Sequence, residues 1–448
     1  MTGFTRALAE FAAGPEPGDG AARHAAARIV AGAVPLMVGA SAHPAVERVL
    51  GVAGRFGAPR QAGVLGRGER LGVAGAALVN GVAAHVEDFD DTHLDTVLHP
   101  GAPIVAAALA IAEWTDATGD DLIAAVLTGT EAAIRTGNAI CPEHFDRGWH
   151  VTGTLGHLGA AAAAGRLLGL GPDRMEHALG LAATQAAGLT SALGTMTKSF
   201  HAGKAAADGV EAALLARRGY TAAPAAVEGR RGMAALMSDR FDPAALDGLG
   251  DHWETARVAF KPYACGIVAH PAIDAAVALH GGDPSAITAV DVRANPVVEE
   301  VMGVVTPHDA LTGKFSIRHA VAAGLVRGAA GPAEFTDEAV RDPAIARIRG
   351  LVRVATDAAV AKDAGQVTVR TADGSRTREI AHATGSEYRP MPDGELRAKG
   401  ERVAGPVLGG RTGALMDALA ALGDGGARGR AAHGTRHLVA AARPAVPT

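Results

Sequence analysis

Cysteine is nearly missing from this chain of 448 residues, which has only Cys141 and Cys265. Two thiols cannot by themselves hold an iron–sulfur cluster or a cysteine-based zinc site, and such sparse use fits a reduced, cytoplasmic protein. Aromatic residues make up only 4 %, which argues against an aromatic-filled sandwich. Neither charge sign dominates: the formal net charge is −5 with the signs interspersed, so the basic face of a nucleic-acid binder is lacking. The uncharged stretches around 151–165 and 178–197 are broken by Gly, Thr, Ser, Gln and His, so no membrane span is expected. The first ten residues lack a basic start followed by an apolar run, and no signal peptide is expected. There is no His-Glu-x-x-His, no array of cysteine pairs and no phosphate-binding Gly-x-x-x-x-Gly-Lys-Ser/Thr. The glycines between Gly66 and Gly72 have neither the preceding strand nor the spacing of a dinucleotide loop.

What is present is small and apolar. Hydrophobic residues reach 48 %, with 59 glycines and abundant alanine, which lets helices approach closely. The length exceeds one simple core, so two domains are expected. Helical periodicity runs from residue 5 to about 258, with a capping signal at Thr118–Asp121 and breaks at 169–172 and 219–224. Strand-like alternation then appears at 286–293, 351–355, 366–371 and 375–380, the last two flanking an Asp373-Gly374 turn. A helix is expected over 314–328, and helical texture returns after 393. The expected fold is therefore mainly α. A large helical domain spans 1–258 and is completed by 399–448, and a smaller α+β domain occupies 259–398. The last twenty-odd residues, rich in Ala, Arg and Gly, are expected to fray.

Five spots concentrate polar groups in apolar surroundings. The first is residues 80–100. Continued as a helix at about 100° per residue, it puts Leu78, Val82, Val86 and Phe89 on one stripe, with His85, Asp88 and Thr92 along its edge. Glu87 and Asp91 then point away, leaving Asp88 as the half-buried acid that needs a partner or a task. His150 stands just ahead of a helix start. Lys198 and His201 lie in the first turn of another, where free amides favour an anion. Lys261 precedes a proline in extended backbone, a setting usual for a surface lysine. The fifth spot, Lys314 to His319, again leads into a helix. A metal site built from His85, Asp88 and His99 is arithmetically open but weak.

These residues resemble the MmgE/PrpD family in order along nearly the whole chain, from about 5 to 410. The matching stretches are Asn80-Gly…Asp88-Phe-Asp-Asp-Thr92…His99-Pro100, His150-x-Thr-Gly-Thr-x-Gly156, Thr197-Lys-x-x-His-x-Gly203, Lys261-Pro-Tyr-x-Cys265 and Lys314-Phe-Ser316. The family includes 2-methylcitrate dehydratase, cis-aconitate decarboxylase and iminodisuccinate epimerase. The resemblance implies a helical domain with an inserted α+β lid, a homodimer, and chemistry without a metal or organic cofactor. It also carries Asp88, Thr92, His99, His150, Lys198 and Lys261 into an active site. Where the decarboxylase motif has a tyrosine, this chain has His319.

The shared chemistry is proton transfer at a carbon next to a carboxylate, on substrates with two or three carboxylates. In that setting His150 is the expected proton-transfer residue and His99 its acid/base counterpart. Asp88 is expected to orient His99, and Thr92 to bond the substrate or Asp88. Lys198, His201 and Lys261 are expected to bind substrate carboxylates, and His319 to give a proton to a leaving hydroxyl. Dehydration of a 2-methylcitrate-like substrate ranks first among the expected reactions. Epimerisation of an amino- or imino-dicarboxylate follows, then decarboxylation, and last a non-catalytic polycarboxylate-binding homologue.

Overall fold

The computed structural model describes residues 3–15, 17–423 and 434–444. It is mainly helical, with two small sheets. The N-terminal helices are α1 (Phe4–Ala13), α2 (Gly20–Gly39), α3 (Pro44–Ala53), α4 (Val73–Val86), α5 (Gly101–Thr115), α6 (Gly119–Ile140), α7 (Val151–Leu167), α8 (Pro172–Gln185) and α9 (Met196–Arg217). A two-residue ladder of β1 (Ala62–Gly63) and β2 (Arg70–Leu71) precedes α4. The capping signal at Thr118 is realised: its hydroxyl accepts from the Asp121 N–H, and the Asp121 carboxylate reaches back to the Thr118 N–H. Because the side chains are small, these helices pack almost backbone to backbone. A Cβ on Gly81 of α4 would lie 2.7 Å from the Gly203 Cα of α9, so a glycine is required on both helices where they cross. That contact brings His85, at the end of α4, to the first turn of α9 and Lys198.

The second region builds its own apolar cluster from Ala264 to Ile380. Its sheet has the order β4–β3–β5–β6, from β3 (Ile287–Ala294), β4 (Val352–Thr356), β5 (Gly365–Thr371) and β6 (Gly374–Ile380). The β3–β4 pair is parallel and the other two pairs are antiparallel. Helices α10 (His270–Leu279), α11 (Ile317–Arg327) and α12 (Pro343–Leu351) pack against it. The expected strands and the helix near 314–328 are therefore present. The tight turn is Ala372-Asp373, with Gly374 already paired to Thr371.

The chain then returns to the first region. Helices α13 (Asp393–Leu408) and α14 (Thr412–Gly423) lie against α2, and α15 (Thr435–Ala441) lies against α14 and α5. The fraying expected of the tail does not extend to 434–444. There Leu438 and Val439 are buried, and the Thr435 hydroxyl donates to the Ala117 carbonyl at 2.8 Å. Residues 424–433 and 445–448 lie outside the described residues. No single helix among the described residues is long and apolar enough to cross a membrane.

Candidate active site

Helix α4 stops at Val86, and this decides the site. Asp88 turns the chain by adopting the left-handed conformation (φ 50°), which aspartate tolerates better than most residues. Residues 87–100 then fold as a buried loop held by its neighbours. Thr92 forms a two-way backbone bridge with Ala259 (2.9 and 2.8 Å), which fixes the segment carrying Lys261. The His99 N–H donates to the Thr152 hydroxyl of α7 at 3.0 Å. Lys314 donates to the carbonyls of Glu87 (2.8 Å) and Ala264 (3.2 Å). Lys399 of α13 donates to the carbonyls of Phe89 (2.6 Å) and Lys261 (2.8 Å). Val97 in the same loop is also left-handed (φ 56°), a conformation that costs a β-branched residue about 1–3 kcal/mol.

At the centre, Asp88 receives Lys198 at 2.7 Å and Lys261 at 3.2 Å, and Lys261 is 0 % exposed. Burial opposes ionisation of Asp88, but the two ammoniums outweigh it and hold the carboxyl well below its usual range. Asp90 Oδ2 lies 2.5 Å from His85 Nδ1, and Asp90 Oδ1 is 3.8 Å from Lys261 Nζ. Asp91 differs. One oxygen accepts from the Gly101 N–H (3.0 Å) and the other has no partner. Burial, reinforced by Asp90, pushes Asp91 up to about 7. Burial, with Lys261 adding to it, pulls Lys399 down to about 7.

Four imidazoles form a row, His99–His85–His150–His201, with successive ring centroids 5.1, 5.6 and 5.2 Å apart. Their partners fix two of the tautomers. His99 Nδ1 faces the Asp91 carbonyl at 2.9 Å and the Thr92 hydroxyl at 3.0 Å. A carbonyl only accepts, so His99 Nδ1 carries the proton and Nε2 is a bare lone pair. By the same logic His85 Nδ1 donates to Asp90, and its buried Nε2 has no partner. His150 Nδ1 and His201 Nδ1 are 3.0 Å apart and share one hydrogen. Burial, aided by the Lys261 charge at His99 and by His85 and Lys198 at His150, pulls both histidines well below the usual range. They are neutral bases near pH 7 with cations beside them.

Two family models match this chain: the MmgE/PrpD N-terminal domain over residues 6–246 and the MmgE/PrpD C-terminal domain over 263–420. The chain belongs to the MmgE/PrpD family. Cis-aconitate decarboxylase of Aspergillus terreus is 30 % identical to it over 385 residues, 79 % of either chain. A cis-aconitate decarboxylase-like protein of Aspergillus oryzae is 28 % identical over 378 residues, 77 % of this chain and 78 % of that one. Human cis-aconitate decarboxylase is 33 % identical over 219 residues, 47 % of this chain and 45 % of the human one. The MmgE/PrpD family thus includes lyases.

In this MmgE/PrpD chain Asp88, Thr92, His99, His150, Lys198, His201 and Lys261 gather in one place, with contacts that depart from the sequence reading. His99 is oriented by the Asp91 carbonyl and Thr92, whereas Asp88 bonds the two lysines. Asp91 is buried instead of pointing away, because the helix that would have turned it outward has already ended. Phe89 joins the second apolar cluster and leaves the α4 stripe, for the same reason. Lys261 is buried, where a lysine before proline is usually exposed. His319 is not in the cluster. Its Nε2 donates to the Glu334 carbonyl at 2.8 Å, its Nδ1 lies 3.4 Å from Arg349, and its ring rests against Phe335. The sequence reading missed Asp90 as the partner of His85, and Lys399. Asp90 carried a signal in its five-residue spacing from His85, and Lys399 carried none.

Proposed function

We propose that this protein is a cofactor-independent lyase acting on a di- or tricarboxylate, and that its reaction is decarboxylation of the cis-aconitate type. One observation carries the reading: two buried ammoniums, Lys198 and Lys261, converge beside a row of neutral imidazoles. The free amides in the first turn of α9 add to the positive field at Lys198. Asp88 shares both ammoniums in the free protein, and a polycarboxylate is the ligand that adds further acceptors beside them. In the reaction the bond from carbon to one carboxylate breaks and CO2 leaves. The electron pair spreads through the adjacent double bond toward a remaining carboxylate, where Lys198 and Lys261 stabilise it. Carbon then takes one proton. His150 supplies it, and His99 is its acid/base counterpart. Both are neutral without substrate, and a bound polyanion favours proton uptake by the cluster. The names of the relatives support decarboxylation over the other reactions. Position 319, whose histidine departs from the decarboxylase motif, bonds the Glu334 carbonyl and has no hydrogen bond to the cluster, so the departure does not weigh against it.

Dehydration of a hydroxy-polycarboxylate is the second reading, favoured by the bare Nε2 of His99, a base suited to a carbon acid. The proposal also takes 259–398 as a lid over the helical body and the active form as a homodimer, which sedimentation velocity tests. The reaction is tested by incubating the protein in deuterated water with cis-aconitate, citrate, 2-methylcitrate and amino-dicarboxylates and following the products by NMR. Carbon dioxide release with one deuterium in the product supports decarboxylation. A new alkene from a hydroxy acid supports dehydration. Exchange with inversion alone means epimerisation, and binding without any turnover overturns the lyase reading.

A further inference from the structure

We infer that His201 is a proton relay, passing a proton from a solvent-facing cavity behind the site through His150 to the reacting carbon. This rests on the lyase reading and replaces the substrate-binding role expected of His201. A decarboxylation consumes one proton per turnover, while His150, the donor, is only 5 % exposed and has no bulk water to replace that proton as long as substrate fills the site. His201 supplies the connection. Its Nδ1 meets His150 Nδ1 at 3.0 Å on one side, and on the other it lines a cavity of about 620 Å³ with exposed Ser191 and Thr197 at the rim.

The ring is held in that pose by the backbone around it. A Cβ on Gly188 would stand 3.2 Å from His201 Nδ1, and one on Gly153 would stand 3.0 Å from His201 Cβ. Gly188 needs no Cβ for a second reason, its φ of 145°. The Gly188 carbonyl also accepts the His150 N–H at 3.0 Å, so one short segment positions both rings. The cavity wall carries charge suited to exchange with water: Asp208 is bonded by Lys204 and, at 3.0 Å, by His157.

The proton balance is simple. His150 gives its Nε2 proton to carbon as it takes the Nδ1 proton of His201, and His201 takes a proton from cavity water at Nε2. The reverse hop resets the pair: His201 Nε2 returns its proton to the cavity, and His150 Nε2 takes one from water admitted as product leaves. No imidazole becomes an anion at any stage.

The test uses His201→Ala and His201→Gln in the full chain with whichever substrate the wild type turns over. A relay predicts that kcat falls at least about tenfold with KM nearly unchanged, and that added imidazole restores turnover of His201→Ala in a saturable way. It also predicts a bowed proton inventory in wild-type single turnovers, from two protons in flight, and a linear one in His201→Gln. A raised KM with intact kcat returns His201 to substrate binding, and a lack of imidazole rescue or a linear wild-type inventory overturns the relay. The wild-type inventory decides the matter even if both variants fail to fold. Wild type inactive on every polycarboxylate is a different result, because it removes the lyase reading itself.

Discussion

Replacing Asp88 by asparagine keeps the volume of the side chain and a residue type that accepts the left-handed backbone, so it isolates the charge. The carboxylate is the acceptor for two buried ammoniums. Removing one member of a buried pair costs about 3–5 kcal/mol, because the other charge is left uncompensated. The loss falls unequally here. Lys261 keeps the Asp88 carbonyl at 3.2 Å and Asp90 at 3.8 Å, whereas Lys198 is left facing His85 Nδ1 at 3.5 Å, whose proton already goes to Asp90. Burial already pulls Lys198 below the ordinary lysine range, against the pull of Asp88. The variant therefore relieves part of the cost by shedding the Lys198 proton, and the net loss belongs at the low end, about 3 kcal/mol. At roughly 2 °C per kcal/mol for a long chain, the apparent Tm falls by about 6 °C. Loss of the Lys198 charge removes an electrostatic contact to the developing anion, worth about 10²–10³-fold in kcat. Because Asp88 has a depressed pKa, its stabilisation is present above its unfolded value of about 3.9 and is lost as pH falls through the folded value. The Asp88 contribution to the Tm difference is thus constant above about pH 5, while loss of the Lys198 proton lets the variant regain stability as pH rises, so the difference narrows from about pH 5 to 8. Scanning calorimetry at pH 5–8 with a turnover assay measures both effects. A variant within 1 °C and twofold of wild type, on the scale of those estimates, would refute the reasoning.

Acid stability follows from the buried neutral histidines. Burial first of all pulls His144 and His319 to about 4 and His270 to about 3, so the unfolded chain binds more protons below its ordinary value of about 6.5. Their stabilisation is complete above that pH and is lost as pH falls, at up to about 1.4 kcal/mol per pH unit for each histidine; unfolding curves at pH 4.5–7 that coincide would contradict it. Lys399→Met leaves the Phe89 and Lys261 carbonyls without their donor, at about 1–3 kcal/mol each, and should lower both stability and kcat, measured by calorimetry and initial rates. Polycarboxylate binding to wild type should take up protons near pH 7, seen as a buffer-dependent enthalpy in calorimetry, and His99→Asn with His150→Asn should abolish that dependence.

Much of this was legible because it is periodic. The alternating strands, the capping box at Thr118 and the helical return after 393 follow from local rules that small side chains do not disturb. The ordered polar motifs likewise group Asp88, His99, His150, Lys198 and Lys261 as one site. What was hidden is where α4 ends, since no glycine or proline marks Val86 and the stop is made by Asp88 turning left-handed under the hold of its lysines. That one event reverses the orientation of Asp91, brings Asp90 to His85 and sends Phe89 to another cluster. Lys399 was hidden for a different reason: its role depends on α13 crossing back over two carbonyls far away in sequence.

The central claim is that the Asp88, Lys198, Lys261 and histidine cluster decarboxylates a tricarboxylate without a cofactor. The direct measurement is 13C NMR of carboxyl-labelled cis-aconitate in deuterated water, with dialysed wild type and with Asp88→Asn. Wild type should release labelled CO2 with one carbon-bound deuterium per turnover, and the variant at least about 10²-fold less. Equal rates from the two proteins, or turnover that appears only when a metal is added, would contradict it.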